Sequence, residues 1–240
     1  MDIGIVGSGH IGSTLARRLA ELGYRVSIAN SRGPASLVAL AADIGATAAT
    51  VKQAARATDI VILAVPEKSV WQSSRDIFAV TSAVVVDAGN YYPSRDSRIP
   101  EIERGLPESA WVSRLLGRPV IKAFNNILAE SLATRGVPAG TPGRICLSVA
   151  GDVLSEKTKV LRLIDALGFD GIDAGTLADS WRQQPGTPAY CRDLDIDKLK
   201  TALAKADAAQ RAAYRAQADE TARAYFVADV KDRPRRDGSN

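Results

Sequence analysis

Apolar residues run along this chain in short, nearly unbroken stretches. They fall at residues 3–6, 26–29, 46–49, 60–65, 83–86, 120–124, 145–150 and 169–172. Segments with helical spacing lie between several of them, at 36–44, 51–57, 69–79 and 155–167. A strand buried on both faces has no reason to alternate with polar residues. Continuous apolar strands alternating with helices therefore predict an α/β fold, with a doubly wound, mainly parallel sheet. Several strands end in turn residues: Gly7 after the first, Pro66 after the fourth, Asp87 to Asn90 after the fifth, and Asn125-Asn126 after the sixth. In an open parallel sheet, ligands bind outside these carboxyl ends.

After residue 175 the pattern changes. Residues 181–191 read as a loop carrying Pro185, Gly186 and Pro188. From 195 to about 228 an alanine-rich stretch reads as one long helix, or two with a break, with Ile196, Leu199, Leu203 and Ala206 on one face. Alanine favours the helix but supplies little apolar area. The helix is therefore expected to pack on the sheet domain or on a second copy in a homodimer. The predicted organisation is a sheet domain over 1–175, a substrate-side loop and C-terminal helix over 176–229, and a disordered basic tail over 230–240.

The first two strands carry the sharpest chemistry. The first turns through Gly7-Ser8-Gly9-His10-Ile11-Gly12 into a helix with Ile11, Leu15, Leu19 and Leu22 on one face. The second strand closes on Asn30-Ser31-Arg32. This is the βαβ unit of a Rossmann-type dinucleotide site. Gly7 permits the tight turn, Gly9 lets the backbone approach a pyrophosphate, and Gly12 lets the helix pack close to the strand. The unpaired N–H groups of the helix N-terminus favour the phosphate charge. An NAD site places a carboxylate at the end of the second strand. Here no acidic residue occurs between Glu21 and Asp43, and Ser31 and Arg32 stand in that place. A hydroxyl and a guanidinium suit a 2′-phosphate, so the expected cofactor is NADP.

Composition narrows the function. The 240 residues are 46% apolar, enough for a substantial core, and carry a net charge of +4. Part of that charge sits in the C-terminal tail and the rest is nearly balanced, which gives no argument for nucleic acid. No apolar run approaches the roughly 18 residues of a membrane span. Nothing at the N-terminus resembles a signal peptide, and Cys146 and Cys191 form no disulfide framework, so a reducing cytoplasm is expected. His10 is the only histidine, which excludes histidine-based metal sites of the usual ligand count. It is either a tolerated position beside the phosphates or a general acid. Tyr91, Tyr92, Tyr190 and Tyr214 all lack a lysine four residues later, against the commonest NADP ketone-reductase chemistry.

The remaining candidates lie on the substrate side. Asn90 and Asn125, at two adjacent strand ends, can offer amide groups to a nicotinamide carboxamide or a substrate carbonyl. Asn126 has the same chemistry. Tyr91 and Tyr92 offer ring faces or hydroxyls. Lys122, within an apolar strand, is either snorkelling at the strand end or lining a cleft. Trp181 is a core anchor or a cleft wall, and Arg182 and Gln184 are placed to meet an acidic substrate.

With these residues in place, the chain resembles the NADPH:F420 oxidoreductase family of dinucleotide-binding proteins. It is also similar to the cytoplasmic oxidoreductase domain of the six-transmembrane metalloreductases. The matching motifs are Gly7-Ser8-Gly9 with Gly12, Ser31-Arg32, Leu63-Ala64-Val65-Pro66, Val85-Val86-Asp87 with Asn90, Ile121-Lys122-Ala123-Phe124-Asn125, and Gly168-Phe169 running on to Trp181. The resemblance implies hydride transfer between NADP(H) and a flavin or deazaflavin (coenzyme F420) stacked on it. It implies that Ser31 and Arg32 hold the 2′-phosphate, with Asn30 beside them. Gly7, Ser8, Gly9, His10, Ile11 and Gly12 would line the pyrophosphate. Ala64, Val65 and Pro66 would border the ribose and adenine side, and Asn90 and Asn125 the nicotinamide. Asn90, Tyr92 and Asn125 are the expected catalytic residues. The chain departs from the family at Tyr91-Tyr92-Pro93 and beyond residue 184, both on the acceptor side. The alternatives are an NADPH-dependent reductase of a small carbonyl or imine, with Tyr91, Tyr92 or Lys122 as proton donor, or a non-catalytic NADP-binding regulatory protein.

Overall fold

The computed structural model describes residues 1–70, 75–79 and 81–231. The chain starts with β1 (Asp2–Val6), α1 (His10–Glu21) and β2 (Arg25–Ala29), then a 3₁₀ turn at Pro34–Leu37. Next come α2 (Val38–Ile44), β3 (Thr47–Ala49), α3 (Val51–Ala54), β4 (Ile60–Leu63), α4 (Glu67–Val70) and α5 (Arg75–Ala79). The middle of the chain forms β5 (Val84–Asp87), α6 (Pro93–Asp96), α7 (Pro100–Glu103), α8 (Glu108–Leu116), β6 (Ile121–Lys122) and α9 (Ala129–Thr134). Then follow β7 (Cys146–Val149), α10 (Leu154–Ala166), β8 (Asp170–Asp173), a 3₁₀ segment at Leu177–Gln183, α11 (Ile196–Lys205) and α12 (Arg211–Lys231). All eight apolar runs became strands.

Six strands form one all-parallel sheet in the order β3-β2-β1-β4-β5-β6. This is a doubly wound Rossmann sheet, with its switch point between β1 and β4, where the order reverses. Strands β7 and β8 form a separate parallel pair. The pair is tied to the main sheet by an antiparallel bridge, in which the Lys122 and Ala150 backbones exchange bonds of 2.8 and 3.0 Å.

The continuous apolar strands follow from burial on both faces. Ile60 and Ile62 of β4 face one core layer with Leu15, Leu19 and Phe169, whereas Val61 and Leu63 face the other with Phe78, Trp111 and Leu116. Each strand thus feeds two layers, and a polar residue on either side would be buried.

The C-terminal stretch is two helices. α11 ends at Lys205, and a 3₁₀ turn at Ala208–Gln210 leads into α12. α11 buries Leu199, Ala202 and Leu203 against a small cluster with Cys146 and Ala189. Ile196, predicted on the same face, is 37% exposed at the first turn. α12 returns across α6 and α7: Asp219 accepts from Ser94 N and Oγ at 2.9 and 2.7 Å, and Arg215 donates to Ile102 O at 3.0 Å. Residues 71–74 of the predicted 69–79 helix, and 232–240 of the expected tail, lie outside the described residues. Among the described residues, no helix is long and apolar enough to cross a membrane.

Candidate functional site

The glycine turn is built as the spacing predicts. Gly7 sits at φ 120°, and a Cβ there would fall 2.2 Å from Ala64 O; a Cβ on Gly12 would fall 2.0 Å from Gly7 O. Both positions therefore accept only glycine, because backbone fills the space. Gly9 is the reverse case. Its Cβ would meet nothing within 4 Å, so an open face lies in front of the turn. Helix α1 starts there with Gly9 as its N-cap, with no side-chain cap and no acidic residue in the first turn. Its first N–H groups are left for a ligand, and an anion suits them best. The cradle fits a dinucleotide pyrophosphate.

Asn30 braces this turn against the end of β2. Its Nδ2 donates to Ser8 Oγ at 3.2 Å, and its Oδ1 accepts from Arg32 N at 2.9 Å. Ser31 and Arg32 project from the braced loop as exposed side chains. His10 is exposed at the rim, and Ile11, Ala64, Val65 and Pro66 are half-buried along it. All the residues expected around the dinucleotide therefore share one edge of the sheet.

The substrate side is more closed than expected. Asn90 and Asn125 do meet: Asn90 Nδ2 donates to Asn125 O, and Asn125 Nδ2 to Asn90 Oδ1, each at 3.1 Å. Asn125, only 2% exposed, spends the rest of its carboxamide on Gln183, donating to its carbonyl and accepting from its Nε2, both at 2.8 Å. Asn126 is also buried. Of the expected acceptor-side residues, Asn90, Trp181 and Arg182 keep part of their surface in solvent. Tyr91 is fully buried, its hydroxyl bonded to Ile99 N, Ser97 O and Glu103. Tyr92 is 8% exposed and shares a 2.6 Å hydrogen bond with Tyr190. Its ring meets Phe226 edge-on, and Arg95 lies over it. Arg182 is bound to Asp179 at 2.5 Å, and Gln184 is buried. The convergence of all these groups on one open cleft is thus corrected: local packing has taken most of them.

Lys122 corrects both expectations for it. It neither snorkels nor lines a cleft, and has no exposed surface. Its Nζ donates to Gly89 O at 2.6 Å and to Asp87 Oδ2 at 3.2 Å, with Glu108 Oε2 3.9 Å away. Ser109 Oγ holds the same Asp87 oxygen at 2.6 Å, and Asp87 Oδ1 accepts from Gly89 N at 2.9 Å. Glu67 completes the group, with neither carboxyl oxygen partnered among the described residues. Burial, with Asp87 and Glu108 nearby, pushes Glu67 well above the usual carboxylate range. Burial also brings Glu108 to about 7, against the pull of Lys122. Burial opposes the Lys122 charge, but the surrounding carboxylates raise its pKa overall.

Glu67 and Glu108 escape a reading of the sequence. Each begins a helix, where an acidic residue is explained by the dipole alone. A carboxylate behind Ala64-Val65-Pro66 at a strand end, opposite a lysine in an apolar strand, was the available signal.

A parallel sheet with a glycine cradle at its switch point defines a dinucleotide-binding Rossmann protein. Residues 2–91 match the family described as NADP oxidoreductase, coenzyme F420-dependent. The structure resembles that of hypothetical protein SMa0349 from Sinorhizobium meliloti, with 36% identity and a TM-score of 0.68 over 81% of this chain and 95% of that one. YjhV of Escherichia coli (strain K12) is 35% identical over 89 residues, 37% of this chain. Metalloreductase STEAP3 of Rattus norvegicus is 27% identical over 178 residues, 74% of this chain. The chain spans 58% of the length of YjhV and 34% of that of the metalloreductase. It belongs to the NADPH:F420 oxidoreductase-like family of dinucleotide-binding proteins. Family and fold are those of NAD(P)-dependent oxidoreductases.

Proposed function

We propose that this protein is an NADP(H)-dependent oxidoreductase that transfers a hydride between nicotinamide and a deazaflavin (coenzyme F420) or flavin. The observation that carries the cofactor choice is the continuous rim from the open face of Gly9 to the exposed Ser31 and Arg32, with no carboxylate in the turn. In this reading the N–H groups at the start of α1 bind the pyrophosphate, Ser31 and Arg32 bind the 2′-phosphate, and Ala64, Val65 and Pro66 border the ribose. Asn90 meets the nicotinamide side, and Asn125 positions Asn90 from behind. The cofactor supplies two electrons and a proton as hydride; the chain supplies position and electrostatics.

Tyr92 and Tyr190 favour a flavin-type acceptor over a carbonyl or imine that needs a tyrosine proton donor. Burial raises the Tyr92 hydroxyl to about 12 and Tyr190 well above its ordinary value. A hydroxyl that holds its proton so firmly, and is already bonded to another tyrosine, is a poor acid at neutral pH. The reading also includes a homodimer in a reducing cytoplasm, in keeping with two free cysteines.

The test is anaerobic NADPH oxidation against F420, FMN, FAD and a set of small carbonyl and imine compounds. Turnover of a flavin or deazaflavin is expected. Turnover of only a carbonyl or imine overturns the acceptor assignment. Tight NADPH binding with no turnover of any acceptor identifies a regulatory protein.

A further inference from the structure

Glu67, Asp87, Glu108 and Lys122 are 0, 1, 1 and 0% exposed, and they lie together under the carboxyl ends of β4, β5 and β6. They touch the proposed cofactor rim from within. Glu67 follows Pro66 directly, and its Oε1 lies 2.8 Å from where a Cβ on Gly89 would stand. Lys122 grips the Gly89 carbonyl at 2.6 Å, and Asn90 is the next residue.

The charges in this group do not balance. Three carboxylates against one ammonium would bury an excess of two negative charges, which a protein interior does not tolerate without partners. Among the described residues, one neighbouring cation is left without an ion-pair partner to set against them. Asp96, which faces Glu67, is itself acidic and paired with Arg95 at 2.8 Å; Arg215, which faces Glu108, pairs with Glu103 at 3.3 Å. Arg211 faces Glu108 from α12, its guanidinium against the Trp181 ring and its Nε and Nη2 without a partner, so it offsets one of the two charges and leaves an excess of one. No group of side chains among the described residues is arranged to hold a metal ion. The remaining excess is therefore held as a proton, and the partnerless Glu67 is the group nearest the rim.

We infer that this cluster is a charge-compensating proton site for the nicotinamide, protonated beside the reduced cofactor and giving up a proton beside the oxidised one. The inference rests on the cofactor placement proposed above. The nicotinamide ring is neutral in NADPH and carries one positive charge in NADP⁺. Through a low-dielectric interior, that new charge favours ionisation of a buried carboxyl. When NADP⁺ binds, the O–H bond of the carboxyl breaks, its electron pair stays on the carboxylate, and the proton leaves to solvent; nothing is oxidised or reduced. In turnover the balance is NADPH plus acceptor plus one proton giving NADP⁺ plus reduced acceptor, and the cluster releases the proton as the hydride departs. Burial, which holds protons on Glu67 and sets Glu108 near neutrality, agrees with this role.

The test is calorimetric and needs no acceptor. NADP⁺ and NADPH are titrated into the protein near neutral pH in buffers of different ionisation enthalpy, which counts protons released on binding. Both carry the same 2′-phosphate, so its titration cancels in the difference. NADP⁺ is expected to release up to one proton more than NADPH, and its relative affinity to rise by up to tenfold per pH unit. Glu67→Gln or Glu108→Gln is expected to remove that difference while circular dichroism stays native. Equal proton release by the two cofactors in the unmodified protein overturns the inference and leaves the cofactor reading standing. So does a full difference persisting in both variants. Failure of both cofactors to bind overturns the cofactor reading and this inference with it.

Discussion

Asn125 and Gln183, 58 positions apart, exchange two hydrogen bonds of 2.8 Å each in the protein interior. The exchange fastens the 3₁₀ segment Leu177–Gln183 to the end of β6, and through Asn125 it fixes Asn90 at the end of β5. A buried amide left without its partner costs about 1–3 kcal/mol. Gln183→Leu is therefore expected to lower unfolding stability by that amount in urea titrations. An unchanged midpoint and slope would show that the exchange adds nothing net.

Two glycines of the same turn should fail differently. Gly9→Val adds a side chain only to open space, so the fold should survive. That space is where the pyrophosphate is placed, so nucleotide binding should be lost. Gly12→Val drives a Cβ into Gly7 O, so the fold itself should suffer. Circular dichroism with NADPH titration checks both. Normal NADPH binding by a native-like Gly9→Val protein would mean that the turn is misassigned.

Cofactor preference should rest on Arg32. Its side chain is exposed at the end of β2, held in register by the Asn30 bracket below it. Removing one charge-assisted hydrogen bond costs about 1.5–3 kcal/mol. Arg32→Ala is expected to weaken NADPH binding by that much and leave NADH binding nearly unchanged. Equal affinity of the unmodified protein for the two cofactors would sink the assignment.

The C-terminal helix should serve the fold before it serves assembly. Asp219 is 8% exposed and accepts two bonds from Ser94 across 125 positions. Asp219→Ala is expected to cost about 1–3 kcal/mol in denaturant unfolding. The outward face of α12, including Ala212, Ala213 and Ala216, remains exposed for a second copy. Light scattering is expected to give a homodimer, and a monomer would remove that part of the proposal.

What the sequence made legible was local. The strands of the sheet, the Gly7–Gly12 turn and the Ser31-Arg32 end of β2 each follow from residues within a few positions of one another. The eight apolar runs therefore marked all eight strands among the described residues. The closed substrate side was not legible, because it depends on long-range partners. Tyr92 reads as a cleft residue until Tyr190, 98 positions on, takes its hydroxyl. Lys122 reads as misplaced until Asp87 and Glu108 arrive from β5 and α8. Glu67 reads as an ordinary helix start, where any acidic residue is suited, until Lys122 is set opposite it from β6.

The same burial makes stability depend on pH in a stated direction. Burial raises the Glu108 carboxyl from its ordinary 4.5 to about 7. Below the lower value, folded and unfolded chains both hold the proton, and the native state keeps its full stability. Between the two values the unfolded chain has released the proton and the folded chain has not. Stability then falls as pH rises, by at most about 1.4 kcal/mol per pH unit for one proton. Glu67, also raised by burial, acts in the same sense. The lowered carboxyls Asp2, Asp59 and Asp179 act in the opposite sense, but they are already ionised across this window and contribute no slope there. Unfolding free energy measured from about pH 5 to 7 should therefore decrease steadily. Glu108→Gln keeps the shape of the protonated group and cannot ionise, so its profile should be flatter and cross above that of the unmodified protein at the alkaline end. Parallel profiles for the two proteins would show that Glu108 does not carry the proton in the folded state.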